Sequence, residues 1–134
     1  MKIEDVEGIG PVLGEKLRSA GVQTTDDLLE KGGPRSARRL LADTSGIDES
    51  RLLEWVNHAD LMRLPGVGSE YSDLLEAAGV DSLAELARRN PDNLAATFQE
   101  LDAARPDWIR RLPSASTVAE WVDAARSYEK VVEH

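Results

Sequence analysis

Apolar residues recur along the chain at helical spacing, and the stretches they mark are bounded by glycine and proline. Leu13, Leu17 and Ala20 fall at i, i+4 and i+7 on one face of a helix that Pro11 opens and Gly21 closes. Val22 is then placed for the apolar contact of a Schellman cap. Tyr71, Leu74, Leu75 and Ala78 draw the same stripe, and Gly79–Val80 repeat the stop. A short helix is predicted after each stop. In the later stretch Ser82-x-x-Glu85 spells a full capping box; in the earlier one Thr24-x-x-Asp27 is the weaker equivalent. Residues 34–44 and 91–103 each open with proline and read as helices. The last helix of each series carries a tryptophan. Val118, Trp121, Val122 and Ala125 form the stripe of the later one, and Thr117-x-x-Glu120 is expected to cap it. No stretch alternates with period two over a useful length. The pattern predicts an all-α fold of about nine to ten short helices, with no sheet.

The two series are copies. A shift of 58 positions puts Gly66 on Gly8, Gly68 on Gly10, Leu75 on Leu17, Gly79 on Gly21 and Val80 on Val22. Further along, "LLEWVNHA" (52–59) matches "VAEWVDAA" (118–125) at a shift of 66, so the second copy holds about eight more residues (66 − 58) before its tryptophan helix. The insertion is expected near 102–114. Two copies are too few for a solenoid, so paired small units are predicted: 1–63 and 64–134. Residues 48–63 carry no glycine and no proline before Leu64–Pro65–Gly66, and one helix there is expected to be shared by both units.

Length and composition restrict the chemistry. The 134 residues suffice for one ordinary domain or two small ones. No apolar run is long enough to span a bilayer, and the N-terminus "MKIEDVEG" lacks the apolar segment of a secretory signal, so a cytoplasmic location is expected and no membrane partner. Without cysteine there is no disulfide framework, no thiol nucleophile and no cysteine-bound metal cluster. His58 and His134 have no second ligand at metal spacing, so no metal is expected. The net charge of −9 opposes a polyphosphate at long range. Residues 1–63 hold 9 basic and 12 acidic side chains (net −3) and residues 64–134 hold 7 and 13 (net −6). An anion-binding role therefore fits the first copy better. Acidic surface and an arginine-rich basic complement also fit a saline cytoplasm, in which case net charge reports on solvent more than on partners.

Apolar–Gly–apolar–Gly between two helices, as in "GIGP" and "LPGVG", resembles the helix-hairpin-helix motif. Two such hairpins joined by a short helix form a five-helix unit common in DNA repair and processing proteins. The chain also resembles an uncharacterised domain family with two such units in tandem. The resemblance covers nearly the whole chain if the tryptophan helices are included. Within each copy only the first hairpin keeps both glycines: "SGID" is degenerate, and the insertion replaces its counterpart. The resemblance implies an all-α fold, binding rather than catalysis, and hairpin carbonyls that can hold a monovalent cation; no other cofactor and no small-molecule substrate is expected. The physical logic is that glycine allows φ > 0 and close approach, so that main-chain N–H groups backed by a helix start converge on one phosphate. Such a contact carries no base information.

The candidate nucleic-acid-binding residues are Gly8, Ile9, Gly10, Lys16, Arg18, Arg35, Arg38 and Arg39, with a second turn at Gly66, Val67, Gly68 and Ser69. Against this reading, the position just past the second glycine, where DNA-gripping members carry Lys, Arg or a small hydroxyl residue, leads to Val12 in the first copy and to Ser69–Glu70 in the second. The glycines also serve a purely structural turn, and Arg35, Arg38 and Arg39 also serve as a solvated helix face. Trp55 and Trp121 are expected in the core, and Trp108 is expected to anchor the insertion; Arg110 and Arg111 beside it would otherwise stack on a base or a partner. The "LPGVG" turn also opens the hairpin of base-excision glycosylases, but residues 64–80 contain no lysine for their chemistry. Two functions remain open: sequence-independent contact with a nucleic-acid backbone through the first hairpin, or a protein–protein interaction scaffold that kept the fold and lost the phosphate grip.

Overall fold

The computed structural model describes residues Met1–His134. A 3-10 turn, Ile3–Asp5, precedes eight α-helices: α1 Pro11–Ser19, α2 Thr25–Gly32, α3 Arg35–Ser45, α4 Glu49–Leu61, α5 Ser69–Ala77, α6 Leu83–Leu86, α7 Pro91–Ala104 and α8 Ala115–Ala125. No strand forms; a single bridge joins Lys2 and Thr24. The fold is all-α, with eight helices rather than nine to ten. Residues 105–114, where Pro106 and Pro113 interrupt any helix, form none, and the N-terminal residues make only the 3-10 turn.

Helix ends follow from local chemistry. Pro11 is the first residue of α1, where its missing N–H costs nothing. Both predicted Schellman stops are present. Val22 N–H donates to the Leu17 carbonyl and Val80 N–H to that of Leu75, each at 2.9 Å. A shared device seals both corners: Lys31 Nζ donates to the Gly21 carbonyl at 3.2 Å, and Arg89 Nη2 to that of Gly79 at 2.9 Å. The caps of the next helices reverse expectation. The full box closes at Thr24, whose Oγ1 accepts from Asp27 N–H while Asp27 accepts from Thr24 N–H. Ser82 Oγ caps α6 through Glu85 N–H, but the Glu85 carboxylate turns to Arg89 at 3.2 Å. Helix α8 starts at Ala115, with Ser114 as its cap, so Thr117 lies inside the first turn rather than before it. Ser114 Oγ accepts the Thr117 N–H that would otherwise have no partner.

The chain divides into two compact units, one of Met1–Arg63 with Val131–His134 and one of Leu64–Lys130. The second unit thus stops four residues short of the expected 134. The end of the chain returns to the first unit: Glu133 N–H donates to the Gly33 carbonyl at 3.0 Å, and Val132 is 1% exposed within that unit's core. Gly33 makes this possible, because a Cβ there would collide with the Val131 carbonyl. Helix α4, expected to be shared over 48–63, belongs to the first unit and ends at Leu61.

In the first unit Leu17, Leu28, Leu52, Trp55 and Val56 pack with Ile3, Val6 and Ile9. In the second, Leu74, Leu75, Leu86, Phe98, Val118, Trp121 and Val122 are buried. Trp55 and Trp121 are therefore core residues. Trp108 is only half-buried; Ile109, 5% exposed, is the residue of the insertion that is buried. The Trp108 ring is covered instead by Arg105, whose guanidinium carbon lies 4.7 Å from the ring centroid.

Candidate functional site

Each copy turns from its preceding segment into α1 or α5 with the same backbone. Gly8 has φ +93° and Gly66 has φ +88°, values that an L side chain tolerates poorly. Ile9 and Val67, between the glycines, are buried, so their side chains anchor the turn and reach no partner. Their N–H groups close the corner on the Val6 and Leu64 carbonyls, each at 3.1 Å. Gly10 and Gly68 cap the two helices in extended conformation, with no side chain to occupy the first-turn amides.

In the first turn the N–H groups of Gly10, Val12 and Leu13 have no acceptor within the protein. A Cβ built on Gly10 meets nothing within 4 Å. Val12 is 71% exposed at the mouth. Lys16, four residues further on the same face of α1, is exposed and has no partner. Arg18 is spent on Glu4, with Nη2 to Oε1 at 2.6 Å. Gly14 lets that carboxylate lie against α1, since a Cβ there would stand 2.6 Å from Glu4 Oε2.

The second turn differs in what stands before it. Gly68, Glu70 and Tyr71 also leave their N–H groups without acceptors. Here the insertion lies alongside, however. Glu70 Oε1 accepts the Arg110 N–H at 2.9 Å, and Tyr71 OH donates to the Arg111 carbonyl at 2.8 Å. Ser69 is half-buried, and its carbonyl accepts from Ser72 Oγ. A carboxylate thus stands on the first turn of α5.

The three arginines of α3 are not part of the first turn. Arg38 is 2% exposed and caps the end of α2: Nη1 donates to the Gly32 and Gly33 carbonyls, both at 3.0 Å, and Nη2 to the Glu133 carbonyl at 2.8 Å. It is a structural residue and not a surface cation. Burial lowers its pKa, and Glu49 is the main opposing influence. Arg35 and Arg39 are exposed beside it, in a cleft that no residue of the glycine turn lines.

A cation that the sequence pattern did not mark shares a tryptophan with the first turn. Arg51, on the first turns of α4, places its guanidinium carbon 5.4 Å from the centroid of the Trp55 ring. Trp55 Nε1 in turn lies 3.3 Å from where a Cβ of Gly8 would be. The i, i+4 pairing of Arg51 with Trp55 was the available signal. No group of three or more histidine, aspartate and glutamate side chains is arranged to hold a metal ion, and no helix is long and apolar enough to cross a membrane.

The family described as "Domain of unknown function (DUF4332)" matches residues 7–128, and the chain belongs to that family. No curated protein and no solved structure gives a significant match.

Proposed function

Since membership of a family of unknown function assigns no activity, we propose from the geometry that the chain is a tandem helix-hairpin-helix protein. In this reading it is a non-catalytic binding module whose first hairpin holds a nucleic-acid backbone phosphate without regard to sequence. The observation that carries the proposal is the open mouth at Gly10, where the Gly10, Val12 and Leu13 amides find no acceptor in the chain. Three N–H donors at the start of a nine-residue helix suit one phosphate oxyanion. Lys16 and Arg51, neither engaged by a carboxylate, supply the positive charge that Val12 does not. The second hairpin is inert, because Glu70 opposes an anion there and the insertion lies against it.

A net charge of −9 and a single cradle make this binding weak, at the low end of non-specific affinities, with a Kd of about 10⁻⁴ M near physiological salt. Fluorescence anisotropy of a labelled mixed-sequence duplex tests it. Association should weaken as salt rises, with a log–log slope of about −1 to −2 for one or two phosphates. Gly10→Asp separates binding from folding, since aspartate is a good N-cap and changes helix stability by only a few tenths of a kcal/mol. It should abolish association, whereas Gly68→Asp should leave it intact. No association of the folded wild-type chain with duplex or single strand at low salt defeats the proposal.

That result would favour the rival, a protein-interaction scaffold. Its specific support is apolar exposure: Leu40 is 68% exposed and, with Ala20, Ala37 and Leu41, makes the apolar part of a groove of about 310 Å³ that Glu30, Lys31 and Thr44 also line.

A further inference from the structure

Between α3 and the start of α4 lies a cleft of about 450 Å³, lined by Arg35, Arg38, Arg39, Glu49, Ser50, Leu53 and His134. Three arginines line it against one side-chain carboxylate, that of Glu49. Arg38 is almost wholly buried, yet its Nε has no hydrogen-bond partner. The nearest anionic atom is Glu49 Oε1 at 3.9 Å, and the same oxygen lies 3.9 Å from Arg39 Nε. One carboxylate thus hangs between two guanidinium groups, too far from either to bond. Helix α4, 13 residues long, begins here without a side-chain cap, and the Glu49 and Ser50 N–H groups have no acceptor. Arg35 is exposed with no carboxylate on its guanidinium; Glu133 takes the Arg35 main-chain N–H at 3.1 Å, and Asp43 and Asp48 line the adjoining cleft with Arg39.

A buried N–H without an acceptor costs about as much as a lost hydrogen bond, so its survival facing a cleft of like donors needs a reason. We propose that this cleft is an anion site for a phosphoryl dianion, free or as the head of a small phosphate monoester. The phosphoryl oxygens lie between Arg35, Arg39 and the amides that open α4. Glu49 is the stand-in that the ligand displaces, and its movement gives Arg38 Nε an acceptor. A dianion fits better than a carboxylate because it matches the two exposed arginines in charge and offers three oxygens to donors arriving from two helices. Leu53, half-buried on the wall, is where the body of an ester would rest. The site shares no residue with the first hairpin and goes beyond the nucleic-acid reading.

The test is an NMR titration of the full chain with inorganic phosphate and, separately, phenyl phosphate, at constant ionic strength held with chloride and at a pH above 7. Saturable shifts are expected at the Glu49 and Ser50 amides and at the Arg38 Nε–H signal. Arg39→Ala and Arg35→Ala, both at exposed positions that leave the fold intact, should each weaken binding about tenfold. Glu49→Gln should tighten it, and Lys16→Glu should change nothing. Equal affinity for both ligands assigns the site to free phosphate; tighter phenyl phosphate assigns it to an ester lying on Leu53. Shifts that rise linearly without saturating, that persist unchanged in Arg39→Ala, or that weaken in Glu49→Gln overturn the proposal.

Discussion

Arg38→Met tests the claim that a buried arginine, and not a surface patch, sits in the middle of α3. Methionine keeps an unbranched stem of similar bulk and removes three charge-assisted hydrogen bonds, to the carbonyls of Gly32, Gly33 and Glu133. The three carbonyls do not fare alike. Gly33 keeps its bond from Glu133 N–H at 3.0 Å, and exposed Glu133 can turn to water. Gly32 is buried and loses the donor that caps α2, at about 1–3 kcal/mol. The lost grip on the returning end of the chain adds about 1.5–3 kcal/mol, and relief of the guanidinium's own burial offsets part of the sum. A net loss of about 3 kcal/mol follows, a large share of the 5–15 kcal/mol that holds a domain together. Hydrogen exchange reads it where it acts. The Leu52 and Val56 amides, in the core of the first unit, should lose protection by about two orders of magnitude. Arg38→Lys should not rescue, because one ammonium cannot fan out to three carbonyls. A fall in protection of less than about fivefold, close to 1 kcal/mol, would refute the reasoning.

Two further perturbations separate backbone from surface. Gly8→Ala forces a Cβ into φ +93° and to 3.3 Å from Trp55 Nε1, and should cost about 1–2 kcal/mol in a urea melt; Gly10→Ser, with open space around it and a side chain suited to the N-cap, should stay within about 0.5 kcal/mol of wild type. The Gln23 N–H, foremost, and then Thr24 hold the Asp27 carboxyl below the usual aspartate range. A depressed folded-state pKa contributes stability above the unfolded value of about 3.9 and loses it as pH falls through the folded value. Asp27→Asn should therefore be less stable than wild type at pH 7, and the gap between their urea midpoints should close below about pH 4. A gap that stays constant across that range counts against the cap as the cause.

The repeat and the glycine corners are local features, and so they were legible. Pro11, Gly21–Val22 and Gly79–Val80 act within one turn of helix, where spacing and geometry are the same thing. The burial of Trp55 and Trp121 also follows from their stripes. Arg38 was opaque because its partner at Glu133 lies 95 residues away. From α3 alone, Arg35, Arg38 and Arg39 at i, i+3 and i+4 read as a wet face. Only the carbonyl end of α2, met by the returning chain, makes the middle one a core residue. The Ser82 box fails to close for a related reason. Glu85 has two suitors, the cap N–H and Arg89 four residues on, and the pattern at the cap shows only the first. In the insertion, size suggested Trp108 as the anchor, whereas the smaller Ile109 is buried. Aromatic bulk predicts burial on average, and not which of two neighbours points inward.

The chain has two corners of matching backbone, and their difference shows where chemistry would enter such a turn. Both leave amides at a helix start without acceptors, so the main chain alone does not distinguish them. Three side-chain facts do. Arg18 neutralises Glu4 at the first corner and leaves Lys16 unopposed, while Glu70 stands unneutralised by any cation at the second, its carboxylate tied only to a main-chain N–H. The inserted segment then rests on α5 through Glu70 and Tyr71, at the level of the same unpaired amides. Glu70 is half-buried, so its charge is screened less than that of a fully hydrated carboxylate and opposes an incoming anion. The distant acids that make up most of the −9 charge act across solvent and fade beyond about 10 Å at 0.1 M salt. Whether a corner can receive phosphate is therefore decided by the few groups within that range, and on that ground the two halves of an acidic chain part company.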